Sequence, residues 1–157
     1  MPLAAGRLAP DFTLATDTGE SRTLSALRGK RVVLYFYPKD DTSGCTQQAC
    51  EFAEHMPRFK RGKAVLLGIS PDSVKSHVKF KKKYDLSFPL LADTEHAVAE
   101  VYDVWKEKLF WGRRYMGVER TTYIIAPDGT IEHVFERVVP AGHAAEVWTY
   151  LRGAAKG

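Results

Sequence analysis

Asparagine is missing from this 157-residue chain, and glutamine and cysteine occur only twice each. Without asparagine there is no N-glycosylation acceptor, and two cysteines are too few to staple a small disulfide scaffold. Long apolar runs are missing too. The strongest, Val32 to Tyr37, falls far short of the roughly 20 residues that a membrane-spanning helix needs. The stretch Met1 to Arg7 lacks the charged start and extended apolar centre of a secretory signal, so the expectation is a soluble protein that is not exported. Internal repeats, low-complexity blocks and Pro-, Gly- or Ser-rich linkers are also absent, which predicts one domain spanning residues 1–157.

What is present is an ordinary globular composition, 45% hydrophobic and 27% charged, on a chain long enough to bury a substantial core. The formal net charge is +4 and the isoelectric point about 9.1. That balance permits nucleic-acid contact, so the placement of the lysines decides. Wound as a helix, Lys75, Lys79, Lys82 and Lys83 share one arc, with Val74, Val78, Phe80 and Tyr84 largely on the other. This is a solvated face opposite a buried one. No aromatic platform or zinc-finger spacing accompanies it, and no nucleic-acid partner is expected.

Along the chain, Pro10 to Leu14 reads as a short extended lead-in. Arg31 to Tyr37 reads as a strand buried on both faces and stopped by Pro38. Polar turn residues Lys39 to Gly44 precede a helix to about Lys60, and Ala64 to Ser70 forms a second buried strand. Pro71-Asp72-Ser73 opens the lysine-bearing helix, with Asp72 placed to cap it. Phe88 to Ala92 suits a third strand and Thr94 to Val104 a helix. Thr121 to Ala126 and Thr130 to Arg137 flank Pro127-Asp128-Gly129, a hairpin signal. Gly142 to Gly153 closes the chain as a helix. The order β-α-β-α-β-α-β-β-α predicts an α/β fold, a largely parallel sheet with an antiparallel addition and helices on both faces; a thioredoxin-like mixed sheet fits it. Trp105, Phe110, Trp111 and Tyr115 are expected to pack beneath a connecting segment, or else to wall a pocket or form a docking face.

The chemistry gathers at Cys45 and Cys50, both early in one predicted helix. Two small core residues would be the plainest explanation. A metal site would need further ligands, and His55, His77, His96, His133 and His143 provide no ligand spacing. With Cys45 at zero degrees, Ala49, Phe52, Met56 and Phe59 lie within about 40 degrees of it, while Cys50 lies about 140 degrees away. Five residues apart on an ideal helix, the two Cα atoms are about 8.6 Å apart. A disulfide usually wants about 4.4–6.8 Å. A bond between them therefore requires part of the helix to unwind, which suits a bond made and broken in turnover better than a staple. Cys45 falls in the first turn, where free N–H groups and the helix dipole favour a thiolate. A peroxide is a natural partner for a thiolate. Asp40 and Asp41 oppose that charge, so they must point away or be offset by a cation.

Pro38-Lys39-Asp40-Asp41-Thr42-Ser43-Gly44-Cys45 matches the PxxxTxxC motif of the peroxiredoxins. With Cys50, the stretch FYPKDDTSGCTQQACEF resembles the peroxiredoxin Q branch, also called bacterioferritin comigratory protein. YDVWKEKLFWGRRYMGVERTTYIIAPDGTI is similar to the same branch, including Arg120 at the opening of the last long strand. The similarity runs from Pro10-Asp11-Phe12 to the terminal helix. Ser43 departs from it, standing where many members carry Pro, and removes no reacting group.

The resemblance implies that Cys45 attacks the O–O bond of hydrogen peroxide or an organic hydroperoxide and becomes a sulfenic acid. Thr42 would hydrogen-bond the thiolate and the peroxide, although a Thr before a helix also serves as a cap. Arg120 would supply the cation. Pro38 would shape and shield the pocket. Gln48 would order the arginine, its plain alternative being a solvent-facing helix residue. Cys50 would resolve the sulfenic acid as an intramolecular disulfide, and thioredoxin or a similar dithiol would reduce it. No haem, flavin or metal is implied, and a reversible disulfide suits the cytoplasm. A monomer is the default state, with a dimer open. Two other functions compete. A thioredoxin-like disulfide oxidoreductase normally carries C-x-x-C, and a copper-handling module would want closer cysteines and a dedicated histidine.

Overall fold

The computed structural model describes residues 3–156; Met1, Pro2 and Gly157 lie outside them. The chain runs through β1 (Thr13–Thr16), β2 (Ser21–Thr23), a short 3-10 turn at Leu24–Leu27, β3 (Arg31–Phe36), α1 (Ser43–Arg61), β4 (Ala64–Ser70) and α2 (Val74–Tyr84). It continues through β5 (Leu90–Ala92), α3 (Ala97–Val101), β6 (Trp105–Phe110), β7 (Arg113–Val118), β8 (Thr121–Ile125), β9 (Ile131–Phe135) and α4 (His143–Lys156). Seven strands form one sheet in the order β2-β1-β5-β4-β3-β8-β9. Strand β3 is central, parallel to β4 and antiparallel to β8, and β4 is parallel to β5. The remaining pairs, β1 with β2, β1 with β5 and β8 with β9, are antiparallel. The sheet is therefore mixed and less parallel than the alternation of strands and helices predicts. The reason is that β1 and β8 enter it without a helical crossover to their neighbours.

Side-chain alternation divides the core between the two faces of the sheet. From β3, Val33 and Tyr35 join the α1 residues Ala49, Phe52, Met56 and Phe59 and the α4 residues Ala144, Val147 and Leu151 on one face. Val32, Leu34 and Phe36 join Val98 and Ala99 of α3, with Tyr102, Tyr123 and Ile125, on the other. Every residue of β3 after Arg31 is buried, as its uninterrupted apolar run predicts. The hydrophobic stripe of α1 begins at Cys45, so docking this helix on the sheet also carries that sulfur inside.

Several local expectations change. Asp72 does not cap α2: Ser73 does, accepting from the Ser76 amide, while the Asp72 carboxylate accepts from the Asp40 amide and the Ser70 hydroxyl. The arc of Lys75, Lys79, Lys82 and Lys83 is exposed as predicted, but Val78 is exposed too, and His77 takes the buried position beside Phe80. The helix expected over Thr94 to Val104 contracts to Ala97–Val101.

The segment expected to be a plain connection is instead a hairpin, β6 paired with β7 as a separate two-stranded sheet. Its turn places Trp111 and Gly112 both at positive φ, the backbone of a two-residue hairpin turn. Trp111 is 88% exposed and Phe110 63%, so these rings do not pack beneath any of the described residues. Trp105 alone is covered, stacked on the His96 ring at 4.0 Å.

Tyr35 fixes the approach of β3 to β4. A Cβ placed on Gly68 would meet the Tyr35 ring and hydroxyl at 3.0 Å, and Tyr35 is held between Tyr37 and Phe52. Gly68→Ala is therefore expected to destabilise the reduced protein by about 1–3 kcal/mol, the usual range for overpacking a filled core. Urea unfolding checks it, with unchanged stability as the contrary result.

Candidate active site

Strand β3 ends at Phe36, and the loop Tyr37 to Thr42 turns the chain into α1. Thr42 has extended backbone at the N-cap position, so Cys45 falls in the first helical turn, where unpaired N–H groups point outward. The sulfur is 2% exposed. Arg120, the residue before β8, reaches it from across the sheet: Nη2 donates to Cys45 Sγ at 3.3 Å, and Nη1 donates to Gln48 Oε1. Gln48 is fully buried one turn beyond Cys45, so it is not the solvent-facing residue of the plainer reading. Its Nε2 is buried without a hydrogen-bond partner among the described residues. The guanidinium thus lies across one helical turn, held by a neutral amide, and puts positive charge beside the sulfur.

The two aspartates leave the sulfur alone. Asp40 turns inward to the hydroxyls of Tyr37 and Ser76 and to His77. Asp41, at φ 57°, turns outward to Lys83 and Tyr84. Those two hydrogen bonds hold its carboxyl below the usual carboxylate range. Both of the alternatives left open by the sequence are realised: the carboxylates are engaged elsewhere and a cation faces the sulfur.

The Thr42 hydroxyl donates to the Lys39 carbonyl at 2.9 Å and does not cap the helix. Its lone pairs stay available to accept a proton from a bound molecule. Pro38 is partly buried and borders a cavity of about 260 Å³ with Trp105, Lys108, Tyr115, Met116 and Val118. The β6–β7 hairpin thus walls a cavity beside Pro38, as the pocket-wall alternative has it for Trp105 and Tyr115, while Phe110 and Trp111 stay outside its lining. Lys108 went unread. Its ammonium is pushed below its ordinary range by burial and by the Arg120 charge, against the opposing pull of Cys45 and Glu119. Gly44 is a second missed residue: a Cβ there would approach Pro140 Cγ at 3.2 Å and Arg120 Nη2 at 3.4 Å. A side chain there would crowd the Pro140 ring first, and the guanidinium would lie at ordinary contact distance.

Cys50 is partly buried, and both cysteines are free. Helix α1 continues unbroken through both, to Arg61. Burial and the Glu54 charge push the Cys50 thiol up, so at neutral pH less of it is thiolate than of an ordinary cysteine. Removing that charge acts in the opposite direction. Glu54→Gln is expected to raise the rate of Cys50 alkylation at pH 7 about twofold, the usual effect of one exposed helical charge pair. Iodoacetamide labelling followed by mass spectrometry reads it; an unchanged or slower rate would contradict this electrostatic account.

The sequence profile of the AhpC/TSA family matches residues 5–134. The chain is 45% identical over 152 residues to peroxiredoxin Bcp of Bacillus subtilis, covering 97% of each protein. It is 42% identical over 151 residues to peroxiredoxin Bcp of Escherichia coli, covering 96% of this chain and 97% of that one. Its fold superposes with a TM-score of 0.90 and 38% identity on the bacterioferritin comigratory protein of Xanthomonas campestris, over 97% of this chain and 99% of the other. That relative was solved as trapped-intermediate and ligand complexes in work on its alkyl peroxide reduction activity. A buried first-turn cysteine facing an arginine, on a thioredoxin-like fold shared with these proteins across nearly the whole chain, has one reading: the chain belongs to the AhpC/TSA family, in its peroxiredoxin Q or Bcp branch.

Proposed function

We propose that this single-domain protein, residues 1–157, is a thiol peroxidase that reduces hydrogen peroxide and alkyl hydroperoxides with Cys45 as the attacking sulfur. The observation that carries this reading is the Arg120 guanidinium donating to the buried Cys45 Sγ at the start of α1. In the first step the thiolate attacks one peroxide oxygen, the O–O bond breaks, and Cys45 becomes a sulfenic acid while the leaving oxygen departs as water or an alcohol after taking up a proton. Arg120 and the free amides of the first turn stabilise charge on sulfur and on the departing oxygen. The Thr42 hydroxyl, its own proton committed to Lys39, accepts a hydrogen bond from the peroxide and orients it. Pro38 excludes bulk water. Gln48 is a positioning residue, holding Arg120 through Nη1. The cavity beside Pro38, walled by Trp105, Tyr115 and Met116, suits the apolar part of an organic hydroperoxide.

In the second step the Cys50 thiol condenses with the sulfenic acid, forming a disulfide and releasing water. The helix must open for this, because its geometry keeps the two Cα atoms beyond disulfide reach. A thioredoxin-type dithiol then reduces the bond and restores α1. No helix among the described residues is long and apolar enough to cross a membrane, and dependence on a reducing dithiol pool supports a cytoplasmic site of action, with the chain working as a monomer.

In a coupled assay with thioredoxin, thioredoxin reductase and NADPH, Cys45→Ser is expected to abolish peroxide consumption and Cys50→Ser to stall after one oxidation. Arg120→Gln is expected to lower the second-order rate constant about 100-fold, the typical loss of one preorganised oxyanion donor. Full activity in the Cys45 variant would end the proposal. Oxidised protein is further expected to exchange amide hydrogens faster than reduced protein over Cys45 to Phe52; equal protection would contradict helix opening.

A further inference from the structure

The loop that carries Pro38 and Thr42 is tied down from inside by a buried charged side chain that the reaction itself does not use. Asp40 is 7% exposed and His77, on α2, 0%. His77 Nε2 lies 2.9 Å from the Leu91 carbonyl oxygen. A carbonyl only accepts, so Nε2 carries a proton. His77 Nδ1 lies 2.7 Å from Asp40 Oδ2, and two atoms so close cannot both present lone pairs. A second proton therefore sits between them. Asp40 also accepts from the Tyr37 hydroxyl at 2.7 Å through Oδ1 and from the Ser76 hydroxyl at 2.8 Å through Oδ2. Burial holds the Tyr37 phenol well above its ordinary range, so it remains a donor. Three donors converge on one carboxyl group, an environment for a carboxylate; the second proton then belongs to the imidazole.

We propose that Asp40 and His77 form a buried carboxylate–imidazolium pair that positions the active loop, joining it to β5 through α2. The backbone supports the tie, since the Asp40 amide donates to Asp72 at the start of α2. Asp40, Asp72 and His77 have potential ligand atoms within 4.8 Å of one another. The hydrogen bonds above already engage Asp40 and His77, and the imidazolium supplies the positive charge that a bound cation would bring. Both members of the pair are positioning residues: neither touches Cys45, and they act through Pro38 and Thr42 on either side of Asp40. A buried carboxylate that loses the one ion-pair partner it has among the described residues is strongly unfavourable, so removing His77 alone drives Asp40, and the loop with it, towards water. Removing both charges together removes that drive.

This inference rests on Cys45 being the reacting sulfur, and the test separates the two. Nitrogen-15 NMR of the reduced full-length protein with labelled histidine, His77 assigned by its loss in His77→Leu, is expected to find both ring nitrogens of His77 protonated at pH 7. In Asp40→Asn the ring is expected to become neutral. In stopped-flow oxidation by hydrogen peroxide, His77→Leu is expected to slow Cys45 oxidation at least about tenfold. The double variant Asp40→Ala/His77→Leu is expected to recover to within about threefold of the unmodified protein. Asp40→Asn, which keeps a hydrogen bond to a neutral His77, is expected to stay within about threefold as well, and it carries the kinetic test alone if His77→Leu does not fold. A neutral His77 in the unmodified protein would overturn the proposal. So would an unaffected His77→Leu, a double variant as slow as the single one, or a tenfold loss in Asp40→Asn. If the ring is doubly protonated and no variant or parent oxidises Cys45, the pair stands and the peroxidase reading fails.

Discussion

One contact organises this protein: a guanidinium laid across the first turn of a helix, with a sulfur at one nitrogen and an amide oxygen at the other. Each half of it comes from a different part of the fold. The sulfur is placed by the docking of α1 on the sheet, which depends on Phe52, Met56 and Phe59 filling one face. The arginine is placed by β8, whose antiparallel register with β3 pairs Thr121 with Phe36 and so brings the preceding residue to the end of the central strand. In this peroxiredoxin the main task of the mixed sheet is to hold two segments far apart in sequence to within 3.3 Å.

The same helix carries an opposing demand. In the proposed cycle it must be intact for the sulfur to be buried beside its cation, and it must open for the second cysteine to reach the first. Pro57 lies inside α1, where its missing N–H leaves one turn short of a hydrogen bond, so the helix is weaker towards its far end than its length suggests. The residues that resist opening are the buried ones, among them Gln48, Ala49 and Phe52. The exposed and half-buried ones, including Cys50, give little resistance. Stability and turnover are therefore set against each other along one face of one element.

Much of this was legible in the sequence because local rules and the tertiary structure agree. An unbroken apolar run gave a strand buried on both sides at Val32 to Phe36. The spacing of Cys45, Ala49, Phe52, Met56 and Phe59 gave the buried stripe of α1, and Pro127-Asp128-Gly129 gave a turn. Arg120 and Gln48 were reachable only through resemblance, since nothing local marks an arginine as facing a sulfur 75 positions away. The β6–β7 hairpin was missed for a physical reason. Its turn puts a tryptophan at positive φ, a conformation that sequence rules reserve for glycine, asparagine and aspartate. His77 was hidden because one buried histidine looks like any other until its two partners are seen, and Asp72 looked like a cap because the true cap, Ser73, lies one residue further on.

The separation between sulfur and cation has a bearing on how the chain is made. During synthesis Cys45 leaves the ribosome well before Arg120 has been added, and until β8 pairs with β3 no guanidinium faces it. The surroundings that set this sulfur apart, burial beside a cation, therefore exist only once the finished sheet has closed. The order of residues along the polypeptide thus ties assembly of the candidate site to completion of the sheet.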